Sequence, residues 1–211
     1  MFVFGHAGIT LGTAIALNGL LNKRHHTDIN VNVSEAKHQP SVGITLDPNT
    51  LSMSSRLRSL VNSIDIRLLM FGSLIPDIID KPVGQFFFRD TFSNGRIFCH
   101  TLLFLILITL GGLYLYYTRK KKWLLILSFG CLTHLILDAM WLNPKTLFWP
   151  LYGFSFERLE LNYWSKDLLH NLLNNPLVWI PELVGISLIS WFLWYLFRKG
   201  AIRTFIFKGH I

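Results

Sequence analysis

The sequence predicts an all-α membrane protein, a polytopic helical bundle with about five transmembrane helices. Of its 211 residues, 51% are apolar and only 15% are charged, whereas a water-soluble domain carries about 25% charged residues. Apolar stretches of roughly the 20 residues that a membrane helix needs recur along the chain. Lys and Arg residues lie in short clusters beside these stretches, as expected next to lipid headgroups. The bilayer is therefore the predicted solvent.

Four apolar segments are long enough to cross the membrane, and a fifth is shorter. The four are residues 2–21, 97–117, 123–142 and 177–197. The fifth, residues 68–79, crosses obliquely if it is extended back to residue 64, or re-enters the membrane if it is broken at Pro76. This pattern predicts a single integral membrane domain, residues 1–211, with a polar cytoplasmic loop at residues 22–63.

The basic residues also predict the orientation of the bundle. With five spans and the N-terminus outside, most Lys and Arg residues fall on the cytoplasmic side, including the cluster at residues 119–122. Because basic residues are enriched in cytoplasmic segments, we expect the N-terminus outside and the C-terminus inside. The net charge of +8 comes from clusters and not from a broad basic face. It therefore indicates anionic lipid as a partner and argues against nucleic acid.

Seven ionisable residues fall within or near the ends of the apolar segments, where each costs a few kcal/mol on insertion. They are His6, Asp77, Asp80, His100, His134, Asp138 and Glu182. In the predicted orientation they lie within roughly 10 Å of the outer boundary of the membrane, with His134 slightly deeper. Residues of this kind need a partner or a function, and their shared layer predicts a common site.

Two pairs in this layer have a spacing that suits metal ligands. His134 and Asp138 are four residues apart and share one face of a helix, so they can bind one cation together. Asp77 and Asp80 are three residues apart, on one side of a helical turn. A mixed set of imidazole and carboxylate groups suits zinc, and manganese or iron less specifically. The number of groups leaves one or two ions open.

Each of these residues also has a purely structural interpretation. A single histidine inside the membrane often forms a hydrogen bond between helices. Asp77 and Asp80 are placed to cap a helix end and to pair with Lys81. Glu182 is placed to accept hydrogen bonds from free amides at a helix start. The coincidence of all seven residues in one layer favours a metal site over these separate roles.

The motifs in this layer resemble those of the membrane-bound metal-dependent hydrolase family, the LexA-regulated inner-membrane proteins of bacteria and their archaeal relatives. The similar segments are GHAGIT around His6, LIPDIID around Asp77 and Asp80, GRIFCHTLLF around His100, THLILDAMW around His134 and Asp138, and LFWPLYGFSF after them. The resemblance covers most of the chain outside residues 22–63. It implies a multi-pass protein of a prokaryotic plasma (inner) membrane.

This family is in turn similar to the superfamily of bacterial zinc phospholipase C and fungal single-strand nucleases, which are helical enzymes that hydrolyse phosphate esters with a zinc cluster. The similarity implies metal-ligand roles for His6, Asp77 or Asp80, His100, and the pair His134 and Asp138. The later ligands of the superfamily, a His and an HxxxE motif, have no clear counterpart, because His170 and Glu182 are twelve residues apart. The similarity therefore does not extend to a full three-metal cluster.

The residues and the resemblance together predict a metal-dependent hydrolase that cleaves a phosphoester of a lipid or lipid-like substrate at the outer face. A bound metal would lower the pKa of a water molecule, and Asp80 or Glu182 would accept its proton. Arg96, four residues before His100, is placed to hold the phosphate.

Two other functions are compatible with the sequence. One is a metal-stabilised membrane protein without turnover, which uses the same ligands. The other is an ion or proton transporter, since chains of Asp, Glu and His also line transport pathways. A pathway needs charged residues that continue toward the inner face, and the inner halves of the three clearest spans contain no Asp, Glu, His, Lys or Arg. The sequence therefore favours the hydrolase over the transporter.

Overall fold

The computed structural model describes residues 3–36, 64–158 and 173–209. Within these ranges the regular secondary structure is helical and includes no strand, so the all-α prediction is confirmed there. The α-helices in chain order are α1 (Val3–Ala36), α2 (Ile66–Gly72), α3 (Ile75–Pro82), α4 (Leu102–Arg119), α5 (Trp123–Leu137), α6 (Pro144–Leu147), α7 (Pro176–Arg198) and α8 (Ile202–Lys208). A π-helical turn (Val83–Phe87) and two 3-10 turns (Phe98–His100 and Met140–Leu142) connect them.

Helices α4 and α7 are long and apolar enough to cross a membrane. They contain 18 and 23 residues, which gives roughly 27 and 35 Å of helix for a hydrocarbon core of about 30 Å. Only 11% and 17% of their apolar windows are buried, so most of these apolar side chains face outward, as in contact with lipid. The described residues thus contain two candidate spans, whereas five spans are predicted, and α5 is apolar but has only 15 residues.

Helices α4 and α5 are shorter than the apolar stretches that predict them. The predicted span begins at residue 97, but Thr101 caps α4, because its hydroxyl accepts a hydrogen bond from the amide of Phe104. The other predicted span ends at residue 142, but the chain leaves α5 earlier and turns at Ala139, whose φ is 49°. Each helix therefore has one end beside a predicted site residue. Helix α4 begins just after His100, and α5 ends just before Asp138.

Helix α1 continues well beyond the first apolar stretch. It ends at Ala36, so residues 22–36 are helical, although their polar composition predicts the start of a cytoplasmic loop. Neither glycine nor proline occurs between residues 22 and 36, and these are the residues that most strongly interrupt a helix. The rest of the predicted loop, residues 37–63, lies outside the described part of the chain.

The short apolar segment at residues 68–79 is divided into two helices. The division lies at Ser73 and Leu74, between α2 and α3, and not at Pro76. Pro76 occupies the first turn of α3, where its missing N–H costs no helical hydrogen bond. Helices α2 and α3 have seven and eight residues, which corresponds to only about 11–12 Å each, so neither crosses a membrane alone.

Two helix pairs approach each other at the level of the backbone. Helix α1 packs along α7, and a Cβ on Gly8 or Gly185 would overlap the backbone of the other helix. Helix α2 packs on α5 in the same way, at Gly72 and Gly130. Small residues are typical of such contacts in membrane proteins, because close packing replaces the hydrophobic effect between helices. These glycines therefore set how closely the helices approach.

We expect the Gly8→Ala variant to unfold at a lower temperature than the wild type. The added methyl group would overlap the backbone of Gly185, and overpacking of this kind costs about 1–3 kcal/mol. Gly19→Ala is the matched control on the same helix, since a Cβ there meets no described atom within 4 Å. Thermal unfolding in detergent measures both variants, and equal midpoints for the two would contradict the contact.

Candidate metal centre

The seven buried ionisable residues predicted from sequence lie toward one end of the helical bundle. Helices α1, α4 and α7 begin at this end, and α5 ends there. The residues come from α1, α3, the 3-10 turn before α4, the end of α5, and α7. All of them are buried: His6, Asp77, Asp80, His100, His134, Asp138 and Glu182. The packing of these helices therefore brings distant parts of the sequence together at this end of the bundle.

His100 and His134 form the centre of the cluster, with their Nε2 atoms 3.1 Å apart. The Nδ1 of His134 lies 2.7 Å from the carbonyl oxygen of Ser73. The Nδ1 of His100 lies 2.7 Å from Asp80 Oδ2. Because carbonyl and carboxylate oxygens accept hydrogen bonds, each ring donates its proton from Nδ1. In the neutral rings, the two Nε2 atoms therefore point their lone pairs at each other.

Two lone pairs at this distance repel each other unless a proton or a cation lies between them. Neutral imidazole binds metal through such a nitrogen. A metal-bound histidine commonly donates its other N–H to a carboxylate or a backbone carbonyl, which fixes the ring orientation. His100 and His134 have both kinds of support, one each. The pair therefore has the arrangement of two metal ligands.

Asp138 and His6 lie on one side of this pair. Asp138 Oδ2 is 3.9 Å from His100 Nε2 and 4.0 Å from His134 Nε2. Asp138 Oδ1 is 3.2 Å from His6 Nε2, and the His6 ring stacks on the His134 ring with centroids 4.1 Å apart. Arg96 contacts Asp138 Oδ2 through Nε and Nη2, both at 2.9 Å. Asp138 thus connects the three histidines to a guanidinium group at the edge of the cluster.

Asp77 also faces the histidine pair. Its Oδ1 is 3.6 Å from His100 Nε2 and 3.9 Å from His134 Nε2. Its Oδ2 accepts a hydrogen bond from Lys81 Nζ at 2.6 Å. The pairing with Lys81 that the sequence suggested as a structural role is therefore present together with a position beside the histidines.

The ligand atoms are close enough together to bind one ion. Two sets of three residues, His6 with Asp77 and His134, and His100 with His134 and Asp138, each offer ligand atoms within 4.8 Å of one another. Zinc bonds of about 2.0–2.1 Å place neighbouring ligand atoms about 3.3 Å apart in a tetrahedron. Distances between 3.1 and 4.0 Å within the cluster bracket this value. The donor set therefore fits zinc, and also manganese or iron.

Asp80 differs from the other predicted ligands because its oxygens have other partners. They accept hydrogen bonds from the backbone amides of Ile97, Cys99 and His100 at 2.9, 3.0 and 3.2 Å. Oδ2 also accepts the hydrogen bond from His100 Nδ1. Asp80 thus lies on the Nδ1 side of His100 and fixes the orientation of that ring, while the opposite nitrogen faces the cluster.

Glu182 lies beside the cluster and holds the start of α1. Its Oε2 accepts a hydrogen bond from the amide of Gly5 at 3.1 Å, and Gly5 immediately precedes His6. A carboxylate is favourable at a helix N-terminus, where the backbone amides lack helical partners. This is the structural interpretation that the sequence suggested for Glu182, except that the amide belongs to α1 and not to its own helix.

Two residues position the site although the sequence does not indicate them. The carbonyl of Ser73 orients His134, and a backbone carbonyl leaves no signal in a sequence. Asn94 accepts a hydrogen bond from the amide of Arg96 at 2.9 Å and donates one to the carbonyl of Glu157 at 2.7 Å. The Ser-Asn-Gly run at residues 93–95 indicates a turn, but it does not show what the turn contacts.

Among families of known proteins, the one described as YdjM inner membrane protein matches residues 1–206. The match covers nearly the whole chain, and it supports the resemblance to bacterial inner-membrane proteins that the motifs around the cluster suggested. No curated protein matches the chain, and no solved structure matches it. The family description and the two apolar helices together establish a membrane protein.

We expect the purified chain to contain about one equivalent of a transition metal and His134→Ala to lose it, because His134 belongs to both ligand sets. Asp90→Asn is the control, since it alters an exposed carboxylate outside the cluster. Elemental analysis of the detergent-purified proteins measures the metal content. Less than about half an equivalent in the wild type would contradict the metal site, as would unchanged content in His134→Ala.

We expect Asp80→Asn to weaken metal binding without abolishing it. The substitution removes the negative charge that holds the His100 ring and the three amides, and loss of such outer support costs roughly 10–100-fold in metal affinity. Competition with a chromogenic zinc chelator measures the affinity, again with Asp90→Asn as control. Wild-type affinity in Asp80→Asn would show that Asp80 does not orient a metal ligand.

Proposed function

We propose that this chain, which belongs to the YdjM inner membrane protein family, is a membrane-embedded metal-dependent hydrolase. The observation that carries the proposal is the opposed pair of Nε2 atoms of His100 and His134, 3.1 Å apart, with carboxylates beside it. Buried imidazole and carboxylate groups of this kind are the donors of hydrolytic metal sites. The resemblance of the surrounding motifs to metal-dependent membrane hydrolases supports the same class of reaction.

The cluster holds a single ion in this proposal. Both sets of potential ligands include His134, and its Nδ1 already donates to Ser73. Its Nε2 has one lone pair and binds one ion at a time. We assign His100, His134 and Asp138 as the central ligands of a zinc ion. His6 and Asp77 lie beside them and form the other possible ligand set with His134.

When bound, the ion supplies Lewis-acid polarisation of a phosphoryl group and acidifies a water molecule. Asp77 Oδ1 faces the two histidines and would accept a proton from an attacking water molecule as the general base. As the water oxygen adds to phosphorus, the P–O bond to the alcohol would break, and Asp77 would return its proton to the leaving alkoxide. Asp80 and Glu182, the proton acceptors expected from the sequence, act here by orienting His100 and by fixing the start of α1.

Arg96 places a positive charge at the edge of the cluster. Its side chain is 41% exposed and contacts Asp138 through two nitrogens at 2.9 Å, so the guanidinium reaches from the ligands to the outside. A guanidinium group binds phosphate with paired, charge-assisted hydrogen bonds. We therefore assign Arg96 to the phosphate of the substrate.

Exposed apolar side chains lie at the same end of the bundle as the histidines, on two loops, residues 83–101 and 148–158. We call them the apolar rim. Its members, between 55% and 85% exposed, are Phe86, Phe87, Phe88, Leu151, Tyr152 and Phe154. A hydrogen bond from Asn94 to Glu157 and a ring contact between Phe98 and Trp149 join the two loops, and Phe98 shares its turn with His100. An acyl chain beside a phosphate fits such a rim, so the proposed substrate is a phosphoester of a lipid or lipid-like molecule.

The orientation predicted from the basic residues places this site at the outer face of the inner membrane. The transporter interpretation is less well supported, because α4 contains no Asp, Glu, His, Lys or Arg between Leu102 and Thr118. Helix α7 likewise contains none between Leu183 and Phe197. A metal-stabilised protein without turnover uses the same ligands as the hydrolase, so only an activity measurement separates the two.

We expect the purified full chain to release phosphate or a phosphorylated headgroup from phospholipids in mixed micelles, in a reaction that a chelator stops. Asp138→Asn, which replaces a charged carboxylate ligand with a neutral amide, should lower kcat/KM at least about 100-fold. Arg96→Gln should raise KM more than it lowers kcat, because Arg96 binds the substrate phosphate in this proposal. Phosphate release and metal content are measured on the same samples.

The matched control is Lys145→Gln, because Lys145 is an exposed lysine that pairs with Glu157. It should retain the wild-type rate and metal content. Turnover of Asp138→Asn at the wild-type rate would reject the mechanism. Full metal loading of the wild type, without release from phospholipids, lysophospholipids or nitrophenyl phosphate, would assign the site to a structural role.

A further inference from the structure

The end of the bundle opposite the histidines carries basic side chains that the hydrolase proposal does not use. Helix α4 ends there, roughly 27 Å from its start beside His100, and α7 ends there as well. The basic residues of this end whose side chains the structure describes are Arg67, Arg119, Lys120, Lys121, Lys122, Arg198, Lys199, Arg203 and Lys208. Asp65 is the acidic residue whose side chain the structure describes there, and it pairs with Arg67 at 2.6 Å. This hydrogen-bonded pairing lowers the pKa of Asp65.

Helix α8 is fixed to this end along a single face. Ala201, Phe205 and Gly209 recur every four residues and form that face. The Phe205 ring packs on the Phe192 ring of α7 with centroids 5.1 Å apart. The carbonyl of Gly209 accepts a hydrogen bond from the amide of Ile66 at 2.9 Å, which ties α8 to α2. The side chains at residues 202–204 and 206–208 of α8 are exposed.

The outward part of α8 combines apolar and basic side chains. Ile202, Ile206 and Phe207 are 40%, 58% and 73% exposed, and the exposed side chains of Arg203 and Lys208 lie among them. A helix of this composition is stable at a membrane surface, where its apolar groups enter the acyl boundary and its basic groups contact headgroups.

Two guanidinium groups lie over aromatic rings at this end. Arg198 is 5.0 Å from the ring centroid of Trp194, and Arg203 is 6.0 Å from that of Phe207. Tryptophan and basic residues gather at the level of the lipid headgroups, and stacking on a ring holds a cation in place at modest cost. The two arginines are therefore held beside aromatic rings, an arrangement typical of side chains at the level of lipid headgroups.

We propose that α8 and the adjoining end of α7 bind anionic phospholipid headgroups. The contacts are Arg198, Lys199, Arg203 and Lys208. Charge complementarity supports this partner, because the sequence contains neither Asp nor Glu from residue 183 to residue 211. The exposed apolar side chains of α8 distinguish a lipid from a soluble anion, which would leave them uncovered. This surface is independent of the hydrolase site.

The test uses the full chain in detergent, titrated with short-chain phosphatidylglycerol, short-chain phosphatidylcholine or inorganic phosphate. Phosphatidylglycerol should raise the unfolding temperature, and the other two should not. Because each basic residue near an anionic surface contributes about fivefold in affinity, the double variant Arg203→Gln/Lys208→Gln should bind phosphatidylglycerol at least about tenfold more weakly. Lys145→Gln, at the other end of the bundle, is the matched control and should bind as the wild type does.

Equal stabilisation by phosphatidylcholine, or wild-type binding by the double variant, would overturn the proposal. If the double variant does not fold, Arg198→Gln/Lys199→Gln provides the same comparison. Light scattering tests whether a second copy of the chain covers α8 instead. A dimer that Phe207→Ser converts to a monomer, with no change in phosphatidylglycerol binding, would assign this face to that copy and reject the lipid.

Discussion

Two buried imidazole rings that point unprotonated nitrogens at each other need a positive charge between them, and the surroundings of His100 and His134 follow from that need. Each ring has its proton fixed on the far side, by Asp80 or by the carbonyl of Ser73. Carboxylates then supply negative charge beside the facing nitrogens. Buried charge without a partner is costly in a membrane protein. The arrangement is therefore stable only when the two rings share a proton or a cation, which also balances the charge of the carboxylates.

The same hydrogen bonds that orient the ligands also satisfy a broken backbone. In a membrane, backbone groups outside a continuous helix need a partner within the protein. The break between α2 and α3 leaves the carbonyl of Ser73 to accept from His134. The irregular turn before α4 directs the amides of Ile97, Cys99 and His100 to Asp80. The helix breaks and the candidate metal centre are therefore one feature of the fold.

The two ends of the bundle carry different polar groups, and the apolar helices α4 and α7 separate the two ends. One end has buried carboxylates and histidines beneath an apolar rim. The other has exposed basic residues around α8. Helices α4 and α7 connect the two ends with side chains that mostly face outward. Apolar helices of this length suit a lipid environment, where polar groups are favoured only near the helix ends, and the charged residues of α4 and α7 lie toward their ends.

Hydropathy and charge are properties of local segments, so they predict the helical class, the long apolar helices α4 and α7 and the set of buried ionisable residues. The sequence by itself did not distinguish Asp77 from Asp80, which are three residues apart on one helix. Only the tertiary structure separated them, since the amides that occupy Asp80 come from the turn before α4. The four-residue spacing of His134 and Asp138 likewise predicts that these two residues bind one cation together. In the fold, Asp138 lies closer to His6 and Arg96, 3.2 and 2.9 Å away, because contacts between remote segments depend on how the helices pack and not on their spacing along the chain.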